Sequence, residues 1–196
     1  INNIRFTNPR PRREPFEQIR TVASKAADAA YFAMRDIENL SGADTTLDMR
    51  ERKIKLDRRK PTDEQVERAR AILKMSEEEQ KKLPRLATNY AERTLKFIEK
   101  PEQYEVKIQT VRIGDDIAIC ALPFEVLVEI GLELKEKSPF ENTIIIELAN
   151  GSYGYLPTPQ QHEWGGYETW LTTCRVQKDA SVILVDHLLE MLGEMR

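Results

Sequence analysis

The sequence predicts an α/β fold: a mixed sheet with a βαβ unit, flanked by helices, plus a charged helical insertion. Three observations predict it. Ile117 to Leu122 is a short continuous apolar run, the pattern of a strand buried on both faces, and Ile144 to Leu148, apolar but for Glu147, reads as a second buried strand. Between them Val126, Ile130 and Leu134 recur at helical spacing, and Ser138-Pro139 stops the pattern. Strand, helix and strand at this spacing make the two strands parallel neighbours. Just upstream, Tyr104-Glu-Val-Lys-Ile-Gln109 alternates as a strand and closes on the turn Gly114-Asp-Asp116.

The remaining elements follow in chain order. Residues 1–15 are rich in Pro and Arg and cannot pack a core, so an extended segment lying over another surface is expected. From Phe16 the period becomes helical: Ile19, Val22, Ala23, Ala26, Ala30, Ala33, Ile37 and Leu40 share a face. Ser41-Gly42 is the expected stop. Residues 45–57 alternate at Leu47 and Met49 and again at Ile54 and Leu56, with the phase slipped between the pairs. This predicts an exposed edge strand carrying a bulge. Residues 61–100 are highly charged and read as the helical insertion. Thr62 caps its first helix, Ser76-Glu-Glu-Glu starts a second, and a third runs from Pro84 to about Lys100. The chain ends in an amphipathic helix with the stripe Val182, Val185, Leu188, Leu189 and Leu192, beside which lies His187.

Composition narrows the class. The 196 residues suit a single α/β domain over 1–196, and 40% hydrophobic residues suffice for a core. A net charge of −3 argues against nucleic acid as a partner, which would call for a concentrated basic surface. No apolar run reaches the length of a transmembrane segment. Cys120 and Cys174 do not make a disulfide framework, and Cys120 reads as a core thiol. The chain opens Ile1-Asn-Asn-Ile without Met, so a processed product or the later part of a longer protein is expected.

Chemistry concentrates at the ends of the two apolar strands, where α/β folds gather binding groups. Glu125 follows Leu122-Pro-Phe and is expected in the first turn of the helix. There it either favours the helix N-terminus electrostatically or serves as a metal ligand or general base. Asn150-Gly151 turns the chain after the second strand and aims Tyr153, Tyr155 and Tyr167 at the same sheet edge. Simple aromatic packing is one reading of them. The glycines Gly151, Gly154, Gly165 and Gly166 favour another, the close approach of backbone to a ligand. A phenol can stabilise a developing oxyanion or ligate a metal. His162 is either a ligand or base, or a solvated side chain.

The segment from Gly114 to Trp170 resembles the neutral/alkaline non-lysosomal ceramidase family, particularly its bacterial ceramidase-like members. The matching residues are Leu122-Pro-Phe-Glu125 after a strand, Asn150, Tyr155-Leu-Pro-Thr158 and Gly166-Tyr167-Glu168. The resemblance implies a zinc amidohydrolase acting on a ceramide-like, lipid-like N-acyl amide, located outside the cytoplasm. By residue, it implies Glu125 and Tyr155 as zinc ligands and Tyr167 as the catalytic group that polarises the amide carbonyl. The family's two histidine ligands match neither His162 nor His187. They are expected upstream of residue 1, which makes the chain the C-terminal part of a larger catalytic domain, inactive alone and partnered by the upstream part of the same protein. The alternative is a non-catalytic lipid- or carbohydrate-binding relative. A weaker reading is an esterase or amidase on non-lipid substrates.

Overall fold

A computed structural model describes residues 13–35, 37 and 45–196. Where one domain is expected over residues 1–196, the chain divides into two compact units, Ile1–Asp44 and Thr45–Arg196. In the first unit, helix α1 spans Glu17–Arg35, with an acid in its first turn and a base in its last, the order the helix dipole favours. The expected stop at Ser41-Gly42 and residues 1–12 of the Pro/Arg stretch lie outside the described residues.

The second unit is built on a four-stranded sheet of order β1-β2-β3-β5. Strand β1 (Leu47–Asp57) pairs antiparallel with β2 (Gln103–Ile113), which turns at Gly114 into β3 (Ile117–Ala121). Gly114 sits at φ 62°, a left-handed conformation natural to glycine. The insertion joins β1 to β2 as α2 (Asp63–Lys74), the single turn α3 (Glu77–Gln80) and α4 (Ala87–Ile98). Thr62 and Ser76 start α2 and α3 with reciprocal capping boxes to Gln65 and Glu79. Beyond β3, the short strand β4 (Glu125–Val126) leads into α5 (Val128–Lys137) and then β5 (Asn142–Ile146), which lies parallel to β3 as expected. Strand β6 (Tyr155–Leu156), α6 (Pro159–Trp164), a 3-10 turn (Tyr167–Thr169) and α7 (Ala180–Gly193) complete the chain.

Three expectations change. First, β1 is an edge strand without a bulge: it pairs continuously from Leu47↔Ile113 to Asp57↔Gln103. The slipped phase instead marks a change of face, with Ile54 and Leu56 inward and Leu47 and Met49 outward. Second, β3 and β5 are buried on one face only. Ala118 and Cys120 are sealed, whereas Ile144 and Ile146 on the other face stay about half exposed. Third, the buried stripe of α7 is Leu184, Val185, Leu188, Met191 and Leu192, and Val182 points to water.

The core lies between the inner face of the sheet and α5 and α7. Val106, Ile108, Leu122, Phe124, Leu134 and Leu188 belong to one fully buried cluster, each contributing about 1.5–3 kcal/mol of transfer free energy. Cys120 belongs to the same cluster, and burial pushes its thiol up to about 12, so it is an inert core thiol. His187 lies at the surface of α7, where Arg52 of β1 ion-pairs with Glu190 and Glu194.

Candidate metal centre

Backbone geometry builds this site. Leu122, just past β3, is fully buried, and its N–H donates to Ile146 O (3.0 Å). Pro123 then redirects the chain, and Phe124 turns back into the core. Glu125 does not enter the first turn of a helix, as the sequence suggests. Its N–H donates to Gly154 O (3.0 Å), and the parallel ladder with β6 holds it extended, three residues before α5 begins. The acid in the first turn of α5 is Glu129, which accepts from Gln161 Nε2 of α6 at 2.7 Å.

Gly154 decides where Tyr155 goes. Its φ is 90°, and a Cβ there would lie 2.2 Å from Thr173 O. Only a residue without a side chain lets the two backbones approach, after which Tyr155 N–H donates to Thr173 O (3.1 Å). Glu125 and Tyr155 are thereby direct register partners in the β4/β6 ladder. Hydrogen bonding with the Glu125 carboxylate, then burial, then the charges of Glu125 and Glu168, push the Tyr155 phenol up to about 12. Tyr167, on the 3-10 turn, meets Tyr155 edge to face at 5.8 Å between centroids.

The three residues singled out from the sequence, Glu125, Tyr155 and Tyr167, thus come together from three separate segments. Tyr153 does not join them. Its hydroxyl donates to Glu105 O (3.2 Å), and its ring packs on Tyr104 and Phe124. His162 also lies apart, with Nε2 at 3.9 Å from the buried Cys174 Sγ. Burial, then the positive charges of Arg59 and Lys178, push its imidazole down to about 4, so it is neutral at pH 7.

Four residues around the site carry no signal in the sequence. Arg59 donates to Thr169 O (2.6 Å) and Arg93 to Thr172 O (3.1 Å), fixing the carbonyls that follow Tyr167. Trp170 packs on Tyr167 and on Tyr90 of the insertion. Pairing over such sequence distances has no local period to betray it. A cleft of about 360 Å³ opens at the root of the insertion, lined by Arg58, Lys60, Val66, Arg70 and Ile98. It holds none of the site residues, and Arg58 there already donates to Phe97 O (2.6 Å) and Pro101 O (2.9 Å).

The fold and site define a mixed α/β protein with a carboxylate–phenol pair on its small two-stranded sheet. No protein-family model matches the chain, and no curated protein matches it. Among solved structures, the crystal structure of neutral ceramidase from Pseudomonas aeruginosa superposes over 96% of this chain with a TM-score of 0.57 and 16% sequence identity. The relationship is one of fold, and distant; the chain spans 35% of that protein's length.

The donor set suits a divalent cation in kind: a carboxylate and a phenol carried by direct register partners of one short ladder. It is incomplete in number. Among the described residues no group of three or more His, Cys, Asp or Glu could hold a metal ion.

Proposed function

We propose that this chain is the C-terminal part of a zinc-dependent amidohydrolase that cleaves an N-acyl amide, with a ceramide-like lipid as the substrate class the resemblance implies. The observation that carries this reading is the pairing of Glu125 with Tyr155 across two short parallel strands, with the Tyr167 ring 5.8 Å away. Glu125 and Tyr155 would hold zinc together with two histidines from the upstream part of the same protein, since two oxygen ligands make half of a tetrahedral shell. Bound zinc supplies Lewis acidity and a water of lowered pKa.

The chain's own residues account for the rest. Tyr155 would ligate as the phenolate, its proton released to solvent, beside the Glu125 carboxylate. In hydrolysis the water oxygen bonds to the carbonyl carbon, the C–N bond breaks, and the amine leaves with a proton. Between these events the carbonyl oxygen bears negative charge, and the Tyr167 hydroxyl donates to it. Location outside the cytoplasm belongs to the same proposal.

The test is metal analysis and N-acyl amide hydrolysis by the full-length protein, with Glu125→Gln and Tyr155→Phe beside wild type. Both variants are expected to lose zinc, and Tyr167→Phe to keep zinc while losing turnover about 10²–10³-fold. Unchanged zinc and unchanged hydrolysis in the two ligand variants would overturn the reading.

A further inference from the structure

The aromatic rings that begin at Tyr155 do not stop at Tyr167. Tyr167 meets Trp170 edge to face at 5.6 Å, and Trp170 meets Tyr90 of α4 in the same way at 5.6 Å. The Arg93 guanidinium lies 5.3 Å from the Tyr90 centroid and donates to Thr172 O. None of these rings belongs to the buried core cluster. Tyr167 and Trp170 are 45% and 50% exposed in this chain, a large aromatic surface at the rim of the site. The helical insertion braces it from behind, so this wall is held in place although the core does not need it.

We propose that Trp170, with Tyr167 beside it, is a subsite for a pyranose ring, and that the N-acyl amide cleaved beside it belongs to an N-acylated amino sugar rather than to the ceramide-like lipid that the resemblance implies. The amide half of this inference rests on the amidohydrolase reading; the sugar half rests on the wall. An aromatic face is electron-rich and its edge electron-poor. A pyranose offers one face of weakly positive C–H groups and a rim of hydroxyls. It stacks on an exposed ring face while its rim reaches hydrogen-bonding groups, here the Tyr167 and Tyr90 phenols, the Trp170 indole N–H and the Arg93 guanidinium. A saturated acyl chain has no polar rim and favours a concave apolar site closed around it. This wall is half exposed and carries donors on its side chains. An equatorial acylamido group leaves a pyranose near the plane of its ring. A sugar seated on Trp170 can therefore carry its amide sideways, within the plane that Tyr167 borders.

The test uses the chain without metal, in chelator, on a Trp164→Phe background so that Trp170 is the one remaining indole. N-acetylglucosamine is titrated against Trp170 emission, with N-methylacetamide and N-octylacetamide as the amide-only and alkyl controls. A saturable change with the sugar is expected, none with N-methylacetamide, and a weaker response to N-octylacetamide. By ligand-observed NMR, Trp170→Ala should weaken sugar binding about tenfold or more. Trp170→Phe should retain part of it, and Tyr90→Leu should weaken it less than Trp170→Ala, with folding of each variant checked by circular dichroism. No saturable response, equal binding by folded Trp170→Ala, or tighter binding of N-octylacetamide than of the sugar would overturn the proposal. Because no metal is present, sugar binding with unchanged zinc in the Glu125 and Tyr155 variants sinks the amidase reading alone. Zinc loss in those variants without sugar binding sinks the subsite alone.

Discussion

Phe124 and Glu125 are neighbours in the chain and belong to two differently made regions. Phe124 is fully buried in the cluster under α5 and α7, where apolar area removed from water is the holding force. Glu125 is half-buried, and it and its neighbours are placed by single close contacts: Gly154 against Thr173, Arg59 on Thr169 O, Arg93 on Thr172 O. The core tolerates changes of shape at a graded cost. The site depends on a few contacts that are either made or lost. Stability and site geometry should therefore respond to different substitutions.

The largest expected effect lies in the core. Leu188→Ala empties a fully buried position of α7 and should lower the unfolding free energy by about 2–5 kcal/mol in urea titrations. The Tyr155 phenol should keep its high titration in that variant. Gly154→Ala comes next, at about 2–3 kcal/mol, because its Cβ would collide with Thr173 O at a left-handed φ. Unlike the core variant, it should also return Tyr155 to an ordinary phenol titration, read by ultraviolet absorbance. If Gly154→Ala left that titration intact, the close approach would not be what places Tyr155.

Two smaller effects are in pH. The His162 imidazole lies below its usual 6.5 in the folded chain, so the unfolded chain binds the extra proton first. Stability should be fully present above pH 6.5 and fall as the pH drops toward about 4, a slope that His162→Gln should flatten. The Tyr155 phenol lies above its usual 10, so the reverse holds: its hydrogen bond contributes fully below pH 10 and is lost as the pH rises through about 12. Glu125→Ala should bring the phenol down toward 10 while lowering stability at pH 7 by only about 0.5–1.5 kcal/mol. A loss there as large as that of Leu188→Ala would erase the distinction between the two regions.

The sequence carried the core further than the site. The apolar run 117–122 and the three consecutive isoleucines 144–146 locate the parallel strand pair because a buried strand is rich in apolar residues. They do not tell whether both faces are covered, and Ile144 and Ile146 stand half exposed. Leu47 and Met49 imitate a phase slip because an edge strand can turn apolar groups outward without breaking its ladder. At the site, Glu125 reads as a helix residue because β4 is only two residues long, too short for any period to mark. Its partner Tyr155 and the nearby Tyr167 stand out by residue type and by the glycines around them. Trp170, Tyr90, Arg59 and Arg93 do not, because their roles arise only when the insertion folds against the 3-10 turn.

The insertion also bears on how the chain reaches this state. Asp57 and Gln103 are register partners, yet all of residues 58–102 lies between them. As a floppy loop, that length would have to be closed at an entropic cost before the first rung of the β1–β2 ladder could form. Helices α2 and α4 draw on contacts close in sequence, and such contacts form early. Once they pack on each other, the two strand ends already stand side by side. The ladder can then zip from Asp57↔Gln103 toward Leu47↔Ile113 as though the connection were a short turn, and the segment that braces Trp170 in the finished molecule would act first as a folding template.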